Sequence, residues 1–213
     1  MVILGLTGSI GMGKTVAAMA FRRFGVAVYD ADKVVHTLMA QGGAAEAAVM
    51  DAFPDAAKDG AIDRQALGAI VFADDWRLQQ LENILHPLVR QKQIAFLAAV
   101  ARRRERLVVL DIPLLLETGG EARCDGVVVV SAPATVQKQR VLSRPGMTPR
   151  RLNAILDRQL VDQDKRWMAD FVVETGLSRR HSLCQIANIV RITKSWGACA
   201  WSPANNSKRD IRF

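Results

Sequence analysis

Five short apolar runs mark the chain, at residues 2–7, 26–30, 107–111, 126–130 and 171–173. None alternates apolar with polar positions. Continuous apolar runs predict strands covered on both faces, as in a parallel sheet flanked by helices. Stretches with helical spacing lie between them. The pattern predicts an α/β fold with a doubly wound, five-stranded parallel sheet and ligands at the carboxyl ends of its strands. The interval between the second and third runs is too long for one crossover helix. Helical patterns near 32–40, 44–53, 63–72 and 74–104 predict a helical insertion with a turn at Pro54 and Gly60. The chain divides on this reading into a core, 1–31 with 106–192, and an inserted region, 32–105. A second helical stretch, about 135–167, carries Lys138, Arg140, Arg144, Arg150, Arg151, Arg158, Lys165 and Arg166. It suits a basic lid, bent at Pro145 and Pro149 because proline interrupts a helix. Residues 193–213 lose all periodicity at Gly197, Pro203, Asn205, Asn206 and Ser207. They are expected to form a poorly ordered tail, with Trp196 and Trp201 isolated in it.

The turn after the first run carries candidate chemistry. Residues 8–15 read Gly-Ser-Ile-Gly-Met-Gly-Lys-Thr, a full match to the phosphate-binding loop G-x-x-x-x-G-K-[ST]. A strand precedes it and a helix-prone stretch from Val16 to Phe21 follows, which is the context the motif requires. Gly8, Gly11 and Gly13 let successive N–H groups curl toward an anion, and a helix N-terminus behind them adds positive partial charge. Lys14 is suited to the β- and γ-phosphates of a nucleotide, and the Thr15 hydroxyl to the shell of a Mg²⁺ ion.

Carboxylates close two other runs. The second ends in Asp30-Ala31-Asp32, where either acid suits a helix N-cap and either suits an acceptor hydroxyl beside the phosphate loop. The third ends in Asp111 after four apolar residues, a position from which an Asp holds Mg²⁺. The leucines Leu114, Leu115 and Leu116 follow and suit an apolar substrate patch, with Glu117 as a candidate ligand-binding carboxylate. Arg140 and Arg144, four apart, are expected to share one helix face and clamp phosphates. His86 precedes Pro87, which predicts a helix boundary or kink. His36 and His181 have no metal-ligand spacing with His86 or with each other.

Composition narrows the field. The chain has 213 residues and a formal charge of +8. The charge fits solvated helix faces or small phosphorylated ligands better than nucleic acid, since no nucleic-acid motif or stacking platform accompanies it. No apolar run approaches the roughly 18 residues of a membrane span. The short apolar start lacks a basic flank, so no signal peptide is expected. Three cysteines without metal-ligand spacing suit a reduced, cytoplasmic protein. No N-K-x-D motif for guanine recognition is present, which argues against a GTPase switch.

Taken together, GLTGSIGMGKT, DADK (Asp30–Lys33), VFADDWRLQQLENILHP (Val71–Pro87), LDIPLLLE (Leu110–Glu117), CDGVVVVSAP, QKQRVLSR, RQ (Arg158-Gln159) and ADFVVETG resemble the dephospho-CoA kinase family over about residues 2–190. The resemblance implies a P-loop core like that of nucleoside monophosphate kinases, an acceptor-binding helical region at 32–105 and a mobile lid. It implies phosphorylation of the ribose 3′-hydroxyl of 3′-dephospho-CoA by ATP with Mg²⁺. A P-loop kinase acting on another small acceptor, such as a nucleoside monophosphate, is the alternative. Asp32 would be the base, with Lys14 and Arg140 stabilising the transferred group. ATP would be held by Gly8, Gly11, Met12, Gly13, Lys14, Thr15, Val16 and Arg144. His86, Leu114, Leu115 and Glu117 would line the acceptor site, and Thr15 and Asp111 would hold the metal. Two positions depart from the family pattern: Val16 replaces a second hydroxyl residue after Lys14, and Leu116 stands where phenylalanine is usual.

Overall fold

The computed structural model describes residues 1–58 and 60–197. In chain order the elements are β1 (Val2–Thr7), α1 (Lys14–Arg23), β2 (Ala27–Asp30), α2 (Ala31–Leu38), α3 (Glu46–Ala52), β3 (Ala57–Lys58), β4 (Ala61–Ile62), α4 (Arg64–Ala73) and α5 (Asp75–Arg102). There follow β5 (Leu107–Asp111), β6 (Gly126–Ser131), α6 (Ala134–Leu142), α7 (Pro149–Leu156), α8 (Asp162–Trp167), β7 (Phe171–Glu174) and α9 (Arg179–Thr193). The described residues form two compact units: Met1–Tyr29 with those from Ala98 on, and Asp30–Leu97.

The first unit is built on a five-stranded parallel sheet in the order β2-β5-β1-β6-β7. The connections out of β1 and β6 leave in opposite directions, so the two strands flank the switch point where α/β sheets bind ligands. Side-chain alternation explains the unbroken apolar runs. Val128 and Val130 of β6 join Leu4, Leu6, Phe21, Val109 and Ile186 in one core cluster. Val127 and Val129 meet Leu115 and Leu116 on the opposite face. Parallel pairing sets Leu6 against Asp111, which brings that carboxylate to the edge where β1 runs into the phosphate loop.

The helical unit closes around Leu38, Val49, Phe53, Leu67, Val71, Leu81 and Leu85. Its helices lie where the periodicity predicts them. The short β3–β4 hairpin, pairing Ala57 with Ile62, was not legible at two residues per strand. Proline behaves differently from expectation at two places. α5 runs on through Pro87, so of the boundary or kink expected there the boundary is absent. The ring is exposed there, while Leu81 and Leu85 continue a buried stripe. Each buried leucine contributes roughly 1.5–3 kcal/mol, which offsets the ~3 kcal/mol cost of an interior proline. Pro149 opens α7 instead of bending a helix. It sits just inside a Thr148 cap that accepts from Arg151 N at 3.2 Å, a position where a missing N–H costs nothing.

The tail expectation changes for its first residues. α9 extends to Thr193, and Trp196 stacks on Phe171 with ring centroids 5.4 Å apart. Trp201 and the rest of 198–213 lie outside the described residues. Among the described residues no helix is long and apolar enough to cross a membrane.

Burial shifts two groups in the core unit. It raises the Tyr29 hydroxyl from 10.0 to about 12 and the Cys124 thiol from 9.0 to about 12. Both folded values lie above the unfolded ones. Their contribution is therefore complete below the unfolded values and is lost as pH rises through the folded ones. Tyr29 is the chain's single tyrosine, so tyrosinate absorbance reports it alone. The native protein is expected to show that transition near 12, and its stability to fall from about pH 9 upward. A native transition centred near 10 would contradict the burial of Tyr29.

Candidate active site

The phosphate loop is held from behind. Gln137 Nε2 donates to Ile10 O at 2.8 Å, Arg140 Nη1 to Gly11 O at 3.4 Å and Thr175 Oγ1 to Met12 O at 2.5 Å. Ile10 N donates to Gln159 Oε1 at 3.1 Å. With three successive carbonyls tied to the protein body, the loop's amides are left to converge on an anion. Gly13 has φ 93° and ψ 21°, a left-handed conformation that favours glycine, and α1 starts at the next residue. The N–H groups of Lys14 and Thr15 thus belong to a first helical turn, which supplies no intrahelical acceptor. Gly11, at φ 78°, is closed to side chains, because a Cβ there would run into Val141 Cγ2.

Lys14 Nζ pairs with Asp111 Oδ1 at 2.5 Å. Both side chains are mostly buried, so the ammonium is aimed by a carboxylate fixed at the end of the neighbouring strand. Thr15 follows on the exposed start of α1. A hydroxyl at the start of α1 and a carboxylate at the end of β5 are hard oxygen donors of the kind Mg²⁺ takes. Among the described residues no group of three or more His, Cys, Asp or Glu forms a separate metal site.

Several expected roles change. Met12 is buried, and its sulfur accepts from Ala132 N at 3.1 Å, so its side chain braces the loop and only its backbone is left for an anion. Arg140 is engaged at the back of the loop. Besides Gly11 O it donates to Thr175 Oγ1 at 3.0 Å and Thr175 O at 2.7 Å. Arg144 does not share its helix face, because α6 ends at Leu142 and Arg144 is exposed in the following turn. The leucine patch is mostly core. Leu115 is 0% and Leu116 6% exposed, against 37% for Leu114. Leu115 packs where β1 has Gly5, whose missing side chain makes the room.

Glu117 is no open ligand either. Its Oε1 accepts from Leu160 N at 3.0 Å and pairs at 2.6 Å with Lys165 Nζ, which is 0% exposed. Lys165 is accordingly not part of a solvated basic face. Ser131 Oγ donates to Asp162 Oδ2 at 2.6 Å and accepts from Arg166 Nη1 at 3.2 Å. α8 is thereby pinned to the end of β6. The expected lid of 135–167 is tied down at both ends, by Gln137 and Val141 on α6 and by Lys165 on α8.

In the helical unit, the two acids after β2 separate. Asp30 caps α2, accepting from Lys33 N at 2.9 Å. Asp32 lies exposed in the first turn. His86 is exposed on α5. Gln137, Gln159, Thr175 and Lys165 were not singled out as functional from sequence. Their partners lie 35 to 163 positions away, and no local spacing announces such contacts.

A phosphate loop at the switch point of this sheet, with Lys14 at the start of α1 paired to Asp111 at the end of β5, defines a P-loop phosphotransferase. The dephospho-CoA kinase family model matches residues 2–179. A dephospho-CoA kinase from Rhodospirillum rubrum is 50% identical over 208 residues, covering 97% of this chain and 98% of that protein. One from Paramagnetospirillum magneticum is 62% identical over 166 residues, 78% of each chain. The crystal structure of TT1252 from Thermus thermophilus superposes with a TM-score of 0.80 at 33% identity, covering 92% of this chain and 98% of that one. The chain belongs to the dephospho-CoA kinase family.

Proposed function

We infer that this chain transfers the γ-phosphoryl group of ATP to the ribose 3′-hydroxyl of 3′-dephospho-CoA, giving CoA and ADP. The observation that carries the reading is a complete, braced phosphate loop in a chain alignable almost end to end with a dephospho-CoA kinase. In the reaction the 3′-oxygen bonds to the γ-phosphorus, the bond to the β–γ bridging oxygen breaks and ADP leaves. Asp32 takes the hydroxyl proton. Lys14 and the amides of Gly8–Thr15 bear the charge spread over the transferred group, which is most of the catalysis such reactions ask of a protein. Thr15 and Asp111 would hold Mg²⁺, whose charge offsets that of the β- and γ-phosphates. Val16 and Arg144 are assigned to the nucleotide side, and His86 and Leu114 to the acceptor. Arg140 acts through the loop and Thr175 as a positioning residue. The free thiols of Cys124 and Cys184 support a reducing, cytoplasmic setting.

Purified protein with ATP, Mg²⁺ and dephospho-CoA is expected to form CoA and ADP in equal amounts, detected by chromatography and mass. Chelation of divalent metal should stop it. Absence of CoA above background, or faster phosphorylation of a nucleoside monophosphate in a competition assay, would overturn the reading.

A further inference from the structure

The helical unit carries a constellation that no role above uses. His36 lies on α2 one turn after Asp32, and residues four apart share a helix face. Arg64, the first residue of α4, reaches across to it. Its Nη1 bonds His36 Nδ1, and its Nη2 donates to the His36 carbonyl at 3.2 Å. A guanidinium has only donors, so Nδ1 accepts and the ring proton sits on Nε2. The second contact lies in the last turn of α2, where a cation also meets the negative end of the helix dipole.

Both side chains are exposed. Leu38, Val49, Leu67 and Val71 already hold α2 and α4 in one buried cluster. An exposed polar pair adds at most about 1 kcal/mol to such packing. What the pair does is fix an imidazole. Among the described residues the ring bonds Arg64 through Nδ1, and both side chains are exposed, which leaves Nε2–H to face solvent together with the other guanidinium N–H groups. These donors and a positive charge are anchored at His36, four residues and about 6 Å of helix rise beyond Asp32 on the same side of α2. That span is comparable with one ribose and its substituents. The carboxylate suits a hydroxyl, and the donor pair suits anionic oxygen.

We propose that His36, oriented by Arg64, binds the acceptor by donating to its 5′-diphosphate while Asp32 meets the 3′-hydroxyl of the same ribose. The proposal rests on the function inferred above. Its test compares KM for dephospho-CoA with KM for ATP in Arg64→Ala, His36→Leu and His36→Gln, alongside melting temperatures. Arg64→Ala and His36→Leu are expected to raise KM for dephospho-CoA about 10- to 100-fold, the loss of hydrogen bonds to a charged group. KM for ATP should stay within about twofold, and melting should move little because the pair is exposed. His36→Gln, whose amide both accepts and donates, should recover most of the affinity. The double variant Arg64→Ala/His36→Leu should be no worse than the more affected single one, because the two residues serve one contact. An active wild type with unchanged KM for dephospho-CoA in both variants would overturn the proposal alone. Equal rises in both KM values with lowered melting would make the pair a brace and overturn it too. A wild type that makes no CoA would remove the function and the proposal together.

Discussion

Asp32→Asn is expected to lower kcat by about 10²–10⁴-fold, the usual contribution of a positioned general base, with the affinity for ATP kept within about twofold. Two carboxylates end β2, and only one is committed to structure. Asp30 accepts from Lys33 N at 2.9 Å and caps α2. Asp32 is exposed in the first helical turn. Asparagine keeps its size and hydrogen-bonding reach but cannot take a proton at neutral pH. Steady-state kinetics with dephospho-CoA, paired with calorimetric titration of a nonhydrolysable ATP analogue, separates the effects. Parallel losses in turnover and nucleotide binding would give Asp32 a structural role. Asp30→Ser supplies the contrast, because serine still caps a helix. Its turnover should fall far less than that of the Asp32 variant.

The second large effect is on stability. Lys165→Met is expected to cost about 3–5 kcal/mol, measured as a shift in the urea midpoint at constant slope. Lys165 is wholly buried, and its Nζ lies 2.6 Å from Glu117 Oε1. Removing the ammonium leaves a carboxylate in the core without its counter-charge. The double variant Lys165→Met/Glu117→Gln should recover much of the loss, since a buried pair as a whole often adds little over neutral packing. A single-variant cost below about 1 kcal/mol would contradict the burial. The pair also bears on the site. Glu117 Oε1 holds Leu160 N at 3.0 Å, and the adjoining Gln159 receives Ile10 N from the phosphate loop. Because a glutamine amide oxygen still accepts from Leu160 N, the double variant is expected to regain stability and to keep its affinity for ATP.

The five strands were legible because a sheet covered on both faces needs apolar residues at every strand position, and such runs stand out in a chain. The phosphate loop was legible because its glycines and Lys14 act within eight consecutive residues. Side-chain destinations were not. Leu114, Leu115 and Leu116 read alike, yet Gly5 on another strand admits Leu115 to the core while Leu114 stays half-exposed. Arg140 and Arg144 have the right spacing for one helix face, but the helix stops at Leu142. Glu117 had the composition of a ligand and became half of an ion pair.

By itself, then, the sequence determined the sheet, the helical insertion, the loop that grips phosphate and the acids at the strand ends. These follow from local rules: the two-residue period of a strand, the 3.6-residue period of a helix and the φ angles open to glycine. Only the tertiary structure decided which acid caps and which stays exposed, which arginine braces the loop, and which charges are buried in pairs. Those outcomes depend on partners as far as 163 positions away, and the energy of such a contact exists only once packing has brought the two groups together and excluded water from between them.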